Sequence, residues 1–251
     1  MADFDNRIVR GAATVADTMD TGLRAHMLRV YNYMVGALAL TGGVAYVVAN
    51  SPPLLNLFYH EVLTANGGAS LSPTMLGWVV MLAPVALVFL LSFRIMQMSQ
   101  AAAQATFWAY AAMVGASLAS ILIVYTGASV AMTFFVTAGT FGTMSLWGYT
   151  TKRDLTGMGH FLFMGLVGIL LAMLANFFFK SAAINFVISV LGVLIFTGLT
   201  AWDTQKIKNT YYAVGGDTAV AGKAAIMGAL ALYLDFLNIF LFLLRFMGNR
   251  R

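Results

Sequence analysis

Cysteine is absent from this 251-residue chain, which removes disulfides and thiolate-held metal centres from consideration. Charge is scarce: Asp, Glu, Lys and Arg make up 9% of the residues, against about a quarter in soluble domains. The three histidines, His26, His60 and His160, stand alone with no HExxH or other paired spacing. Metal hydrolysis and bis-histidine haem binding therefore lack a ligand set. Neither a GxxxxGK[ST] nor a GxGxxG phosphate loop occurs, and the last apolar segment carries no lysine for a Schiff base. Asp154 near His160 imitates an acid–base pair, but its polar surroundings read as a solvated loop. Nothing in the sequence points to an enzyme or to an organic cofactor.

What the chain has in abundance is hydrocarbon. Apolar residues make up 61% of it, which places it among integral membrane proteins. About 20 apolar residues are needed to cross some 30 Å of lipid. Seven segments meet that length, approximately 30–50, 74–95, 102–124, 129–150, 160–179, 182–202 and 226–246. The fold class expected is all-α, with a charged N-terminal arm over residues 1–29 and a transmembrane domain over 30–248. The arm has Asp3, Asp5, Asp17, Asp20 and several arginines, and does not read as a cleavable signal. Residues 50–73 form the long loop, with Leu54–Leu63 expected as a short interfacial helix. "YTGAS" (125–129) is a tight turn, while 151–159 and 203–223 are polar connections.

The net charge of +5 belongs to topology rather than to nucleic-acid binding, because the basic residues gather at segment ends. With the N-terminus inside, Arg7, Arg10, Arg24, Arg29, Arg94, Lys152, Arg153, Lys206, Lys208 and Lys223 all fall on the inner side. The outer loops then hold only Lys180. Arg245, Arg250 and Arg251 depart from that bias, since seven crossings put them outside. No N-x-Ser/Thr sequon occurs, which is compatible with a bacterial cytoplasmic membrane. Small residues such as Ala111 and Gly115, or Gly165 and Gly168, suit close helix packing.

Most of the nine acidic residues lie in tails or loops. Asp203 and Asp235 do not. A charge near the bilayer centre costs roughly 3 kcal/mol on insertion scales. The Leu, Ile and Phe residues of 226–246 offset it by about 4 to 8 kcal/mol, so the last segment still inserts, with Asp235 facing protein or water. In the sixth segment Asn185, Ser189, Gly192, Phe196, Thr200 and Asp203 recur at steps of three or four, one stripe of a helix. Asn238 shares the face of Asp235, and Arg94 closes the second segment on the inner side. Two carboxylates brought together in a low dielectric cannot both ionise cheaply and tend to share a proton. Carboxylate oxygens are also the donors that Ca²⁺ prefers. Asp203 and Asp235 are therefore the candidate gate, pH sensor and calcium-contacting residues, with Thr200, Asn238 and Arg94 as accessories. A plain surface pairing of Asp203 with Lys206 or Arg94 is the alternative for that residue.

"TAWDTQKIK" (200–208) and "GALALYLDFLNIFLFLLRFMG" (228–248) resemble the two signatures of the Bax inhibitor 1 family, also called the transmembrane Bax inhibitor motif family. The hydropathy profile is similar from about residue 20 to 248, and Trp202 stands where the family more often has tyrosine. The resemblance implies six helices wrapped around a central, hydrophobic seventh. It also implies a pH-sensitive calcium leak whose latch is Asp203 with Asp235, with calcium and protons as the ions handled. A rival implied by the same family is a non-transporting regulator that contacts a membrane protease or a stress complex. Deleting residues 1–29 would separate the two, abolishing a contact effect and sparing ion flux.

Overall fold

The computed structural model describes the backbone of residues 2–63, 69–214 and 218–250. Side chains of 2–20, 61, 63, 69–71 and 218 lie outside that description. The helices in chain order are α1 (Ala2–Asn50), α2 (Pro52–Phe58), α3 (Met75–Arg94), α4 (Gln100–Val124), α5 (Gly127–Thr150), α6 (Thr156–Phe179), α7 (Ala182–Val214) and α8 (Thr218–Met247). Seven of them are long and apolar enough to cross a membrane, α2 being the exception. Six of the seven expected spans lie within one of these helices, and the second, 74–95, overruns α3 by one residue at each end.

The helices outrun the spans. Helix α1 runs unbroken from Ala2 to Asn50, so no backbone break separates residues 2–29 from the first span. Residues 203–223, expected as a polar connection, are helical up to Val214 and again from Thr218. At 1.5 Å per residue, the 33 residues of α7 extend about 50 Å, well beyond a bilayer's hydrocarbon. Hydropathy marks where lipid ends, not where the backbone stops being helical. The 50–73 loop also differs: among its described residues, the helix after Asn50 is confined to Pro52–Phe58 and does not reach Leu63. Strand β1 (Tyr59–Leu63) then pairs antiparallel with β2 (Ala69–Pro73), Tyr59 opposite Pro73.

Helix α8 is the core. Of its apolar window 67% is buried, against 39% at most for any other span. Helices α1, α4, α5 and α7 pack directly on it, while α3 leans on α4 and α6 on α7. Close approach needs small residues at two crossings. A Cβ at Gly115 would meet the Thr41 carbonyl of α1, and one at Gly148 would meet the Ala201 carbonyl of α7. The chain's end is fastened as well: Thr126 donates its N–H to the Asn249 carbonyl at 3.0 Å, and Asn249 donates to Ser129 Oγ at 2.9 Å.

Candidate functional site

Asp235 sits on α8, enclosed on all sides and 4% exposed. Asp203 sits on α7, eleven residues before its end at Val214, so it belongs to the helix rather than to a connection. Helices α7 and α8 pack extensively on each other, and that packing brings the two side chains into hydrogen-bonding contact. Oδ2 of Asp235 is buried with no partner among the described residues. No amide, hydroxyl or cation therefore serves that oxygen. Carboxylates only accept; a carboxyl–carboxyl hydrogen bond needs a proton on one of the two.

The accessory residues divide. Thr200 is fully buried, and its hydroxyl donates to the Phe196 carbonyl at 2.8 Å. Asn238 Nδ2 donates to the Leu234 carbonyl at 2.8 Å. Both satisfy their own helices and flank the pair one turn away. Arg94 is exposed at the end of α3. It is not among the charges acting on either carboxyl; those are the opposing carboxyl and, for Asp203, Lys206. Lys206 reaches back over the Trp202 ring at 4.9 Å. The indole at 202 thus has a cation on it, and His160 stands edge-on at 6.5 Å.

Beside the pair runs a hydroxyl chain that sequence reading did not single out. Tyr31 of α1 bonds Ser145 of α5 at 2.7 Å, and Ser145 bonds Thr204 of α7 at 3.0 Å. Thr204 donates to the Thr200 carbonyl at 2.7 Å. Each hydroxyl has one proton, so the direction is fixed: Tyr31 donates to Ser145, Ser145 to Thr204, and Thr204 to the backbone. Thr204 lies four residues past Thr200, on the continuation of its stripe. That spacing was the available signal; its partners on two other helices were not visible in the sequence. A second buried link joins Tyr233 and Thr41 at 2.6 Å, with Thr41 donating to the Ala111 carbonyl at 2.9 Å.

The inner end of α7 also fastens the α5–α6 connection. Gln205 accepts from Leu155 N–H and donates to the Arg153 carbonyl, both at 2.8 Å. Lys208 donates to the Tyr149 carbonyl at 2.8 Å. Asp154 is exposed there and accepts from the Thr156 hydroxyl at 2.6 Å and its N–H at 2.9 Å. Those hydrogen bonds, the hydroxyl's first, hold its carboxyl below the usual carboxylate range. His26 packs on Tyr211 at 5.2 Å, far along the chain from His160. No group of three or more His, Asp or Glu side chains gathers among the described residues.

A bundle with seven helices long and apolar enough to cross a membrane, and two carboxyl side chains in contact between α7 and α8, defines an α-helical integral membrane protein with a carboxyl pair between two of its helices. Comparison with known proteins gives the lineage. The family described as "Inhibitor of apoptosis-promoting Bax1" matches residues 23–251. An uncharacterised Rickettsia prowazekii protein is 47% identical over 236 residues, covering 93% of both chains. An uncharacterised Caulobacter vibrioides protein is 45% identical over 253 residues, covering all of both. The inner membrane protein YbhL of Escherichia coli is 47% identical over 231 residues, 92% of this chain and 94% of that one. The chain belongs to the Bax inhibitor-1 family.

Proposed function

We propose that this protein lets calcium ions down their gradient across a bacterial inner membrane, with Asp203 and Asp235 as a proton-sensitive latch. One observation carries the reading: a carboxyl buried on the central helix has a second carboxyl as its neighbour. The name of the Escherichia coli relative supports the membrane assigned. With one proton shared, the pair bonds α7 to α8. With that proton gone, two like charges repel in a medium of low dielectric and press the helices apart. Flux therefore rises as pH rises. Lys206 eases the charge on Asp203 but does not reach into the core to serve Asp235.

Two carboxyls fall well short of the six to eight oxygens that Ca²⁺ gathers. The pair thus suits an ion in transit, with water and backbone carbonyls completing its shell, better than a storage site. In this proposal Thr200 and Asn238 hold the backbone on either side of the latch. Arg94, at the end of α3, is given no part in the closed pair.

The test is calcium-dye flux into liposomes between about pH 5 and pH 8, the range in which a coupled carboxyl pair can release its proton. A shift of about 1.4 kcal/mol in the open–closed balance changes flux about tenfold, an easily measured change. Wild type should show rising flux with pH, and Asp235→Asn or Asp203→Asn should flatten the curve. Absence of wild-type flux across the whole range would overturn the proposal.

A further inference from the structure

At the membrane face opposite the N-terminus, the structure collects two cations around one small pocket. It has a volume of about 330 Å³ and is lined by Met173, Asn176, Phe177, Lys180, Asn185 and Arg245. No carboxylate is among those residues. Lys180 and Arg245 come from different places, the α6–α7 turn and the last turn of α8. Each is also locally unusual.

Lys180 has φ 51° and ψ 32°, the left-handed conformation that caps a helix, where glycine is the common residue. It is the one non-glycine residue with positive φ among those described. The conformation is held from both sides. Lys180 N–H donates to the Asn176 carbonyl at 2.8 Å. Asn176 is buried; its Oδ1 accepts from Ser181 N–H at 2.9 Å and its Nδ2 donates to the Ser181 carbonyl at 3.3 Å. A fold that needed only a helix stop would be better served by glycine here. The lysine adds a charge at a conformational cost.

Arg245 is the counterpart. It runs against the charge bias of the rest of the chain and ends the most buried helix of the bundle. Its guanidinium lies over the Phe242 ring at 5.7 Å, and the residue lines the pocket. Asn185 adds an amide, while Met173 and Phe177 supply apolar wall on the lipid side. Two cations and an amide above an apolar wall, at the level where two spans end, match a phosphate with an acyl chain below it.

We propose that this pocket binds the phosphate of an anionic phospholipid headgroup, held by Lys180 and Arg245. The proposal is independent of what the carboxyl pair does. The full-length protein in detergent is titrated with dioleoylphosphatidylglycerol, with dioleoylphosphatidylcholine, and with inorganic phosphate alone, and thermal unfolding is followed. Phosphatidylglycerol should raise the melting temperature of wild type, and the other two should not. Lys180→Gly is the informative variant. It suits the left-handed backbone better than lysine, so the protein folds, yet the lipid midpoint should weaken about tenfold, the loss of one charge-assisted bond. Arg245→Gln should weaken it similarly, and Lys223→Gln, at the other end of the bundle, should leave it unchanged. An unaltered lipid response in both Lys180→Gly and Arg245→Gln overturns the site. Equal shifts with phosphatidylcholine, or with phosphate alone, overturn the assignment to an anionic lipid.

Discussion

Tyr233 shows how little polar chemistry the core permits and how firmly it ties down what it has. The phenol is fully buried two residues before Asp235, with Phe107 and Tyr110 edge-on at 6.3 and 5.6 Å. Its hydroxyl has one partner, Thr41 on α1, whose own proton goes to the Ala111 carbonyl of α4. Tyr233 is thus the donor, and α1, α4 and α8 are joined through one oxygen. Removing that donor by Tyr233→Phe leaves the Thr41–Ala111 bond intact and should cost about 1 kcal/mol, read as a lower melting temperature in detergent. An unchanged melting temperature would mean that this bond contributes nothing net. Asp235 was legible from sequence for the opposite reason: a charge in hydrocarbon is costly enough to demand a partner. Asp203 was legible as that partner because its stripe ran down a neighbouring span. Tyr31, Ser145 and Thr204 were not, because hydroxyls are ordinary in membrane helices and satisfy themselves on their own backbone. Only the packing of three helices reveals which of them meet.

Between α5 and α7 the approach is set by a missing side chain. A Cβ at Gly148 would strike the Ala201 carbonyl, which is backbone and cannot swing aside. Ala201 is two residues before Asp203, and Ser145, one turn before Gly148, holds Thr204. Gly148→Ala should therefore push α7 outward and stretch the hydroxyl chain. The expected loss is about 1 to 3 kcal/mol, typical of overpacking, together with altered flux if the carboxyl pair is the gate. Wild-type melting and wild-type flux in this variant would show that α5 and α7 have room to spare. At this scale the sequence was informative about which segments cross a membrane and uninformative about where helices stop. Residues 203–214 are polar enough to leave the lipid, yet Gln205, Lys206 and Lys208 are good helix formers and keep α7 going. The β1–β2 hairpin escaped notice because five-residue strands carry too short an alternation to stand out.

For the molecule as a whole, the arrangement of charge along seven crossings argues for one orientation. Arg24, Arg94, Lys152, Arg153, Lys206 and Lys208 all come to one end of the bundle in the helices described, with Lys180 and Arg245 at the other. On the positive-inside rule the richer end is the one expected in the cytoplasm. The odd number of spans then sends the end of α8 to the far side, where the Asn249 backbone is fastened to Thr126 and Ser129 at the α4–α5 turn. A last segment that dipped in and returned would bring Asn249 to the same end as Lys223, which donates to the Met96 carbonyl at 2.9 Å beyond the end of α3. The fastening at the α4–α5 turn favours a full crossing. Fusing alkaline phosphatase after Arg251 should therefore give an active enzyme in bacterial cells, and a fluorescent protein at the same place should stay dark. Fusions placed between Lys152 and Arg153 should give the reverse. A bright C-terminal fusion would invert the bundle: with seven crossings the N-terminus would then lie outside, and the Lys180–Arg245 pocket would face the cytoplasmic leaflet instead of the one inferred from charge.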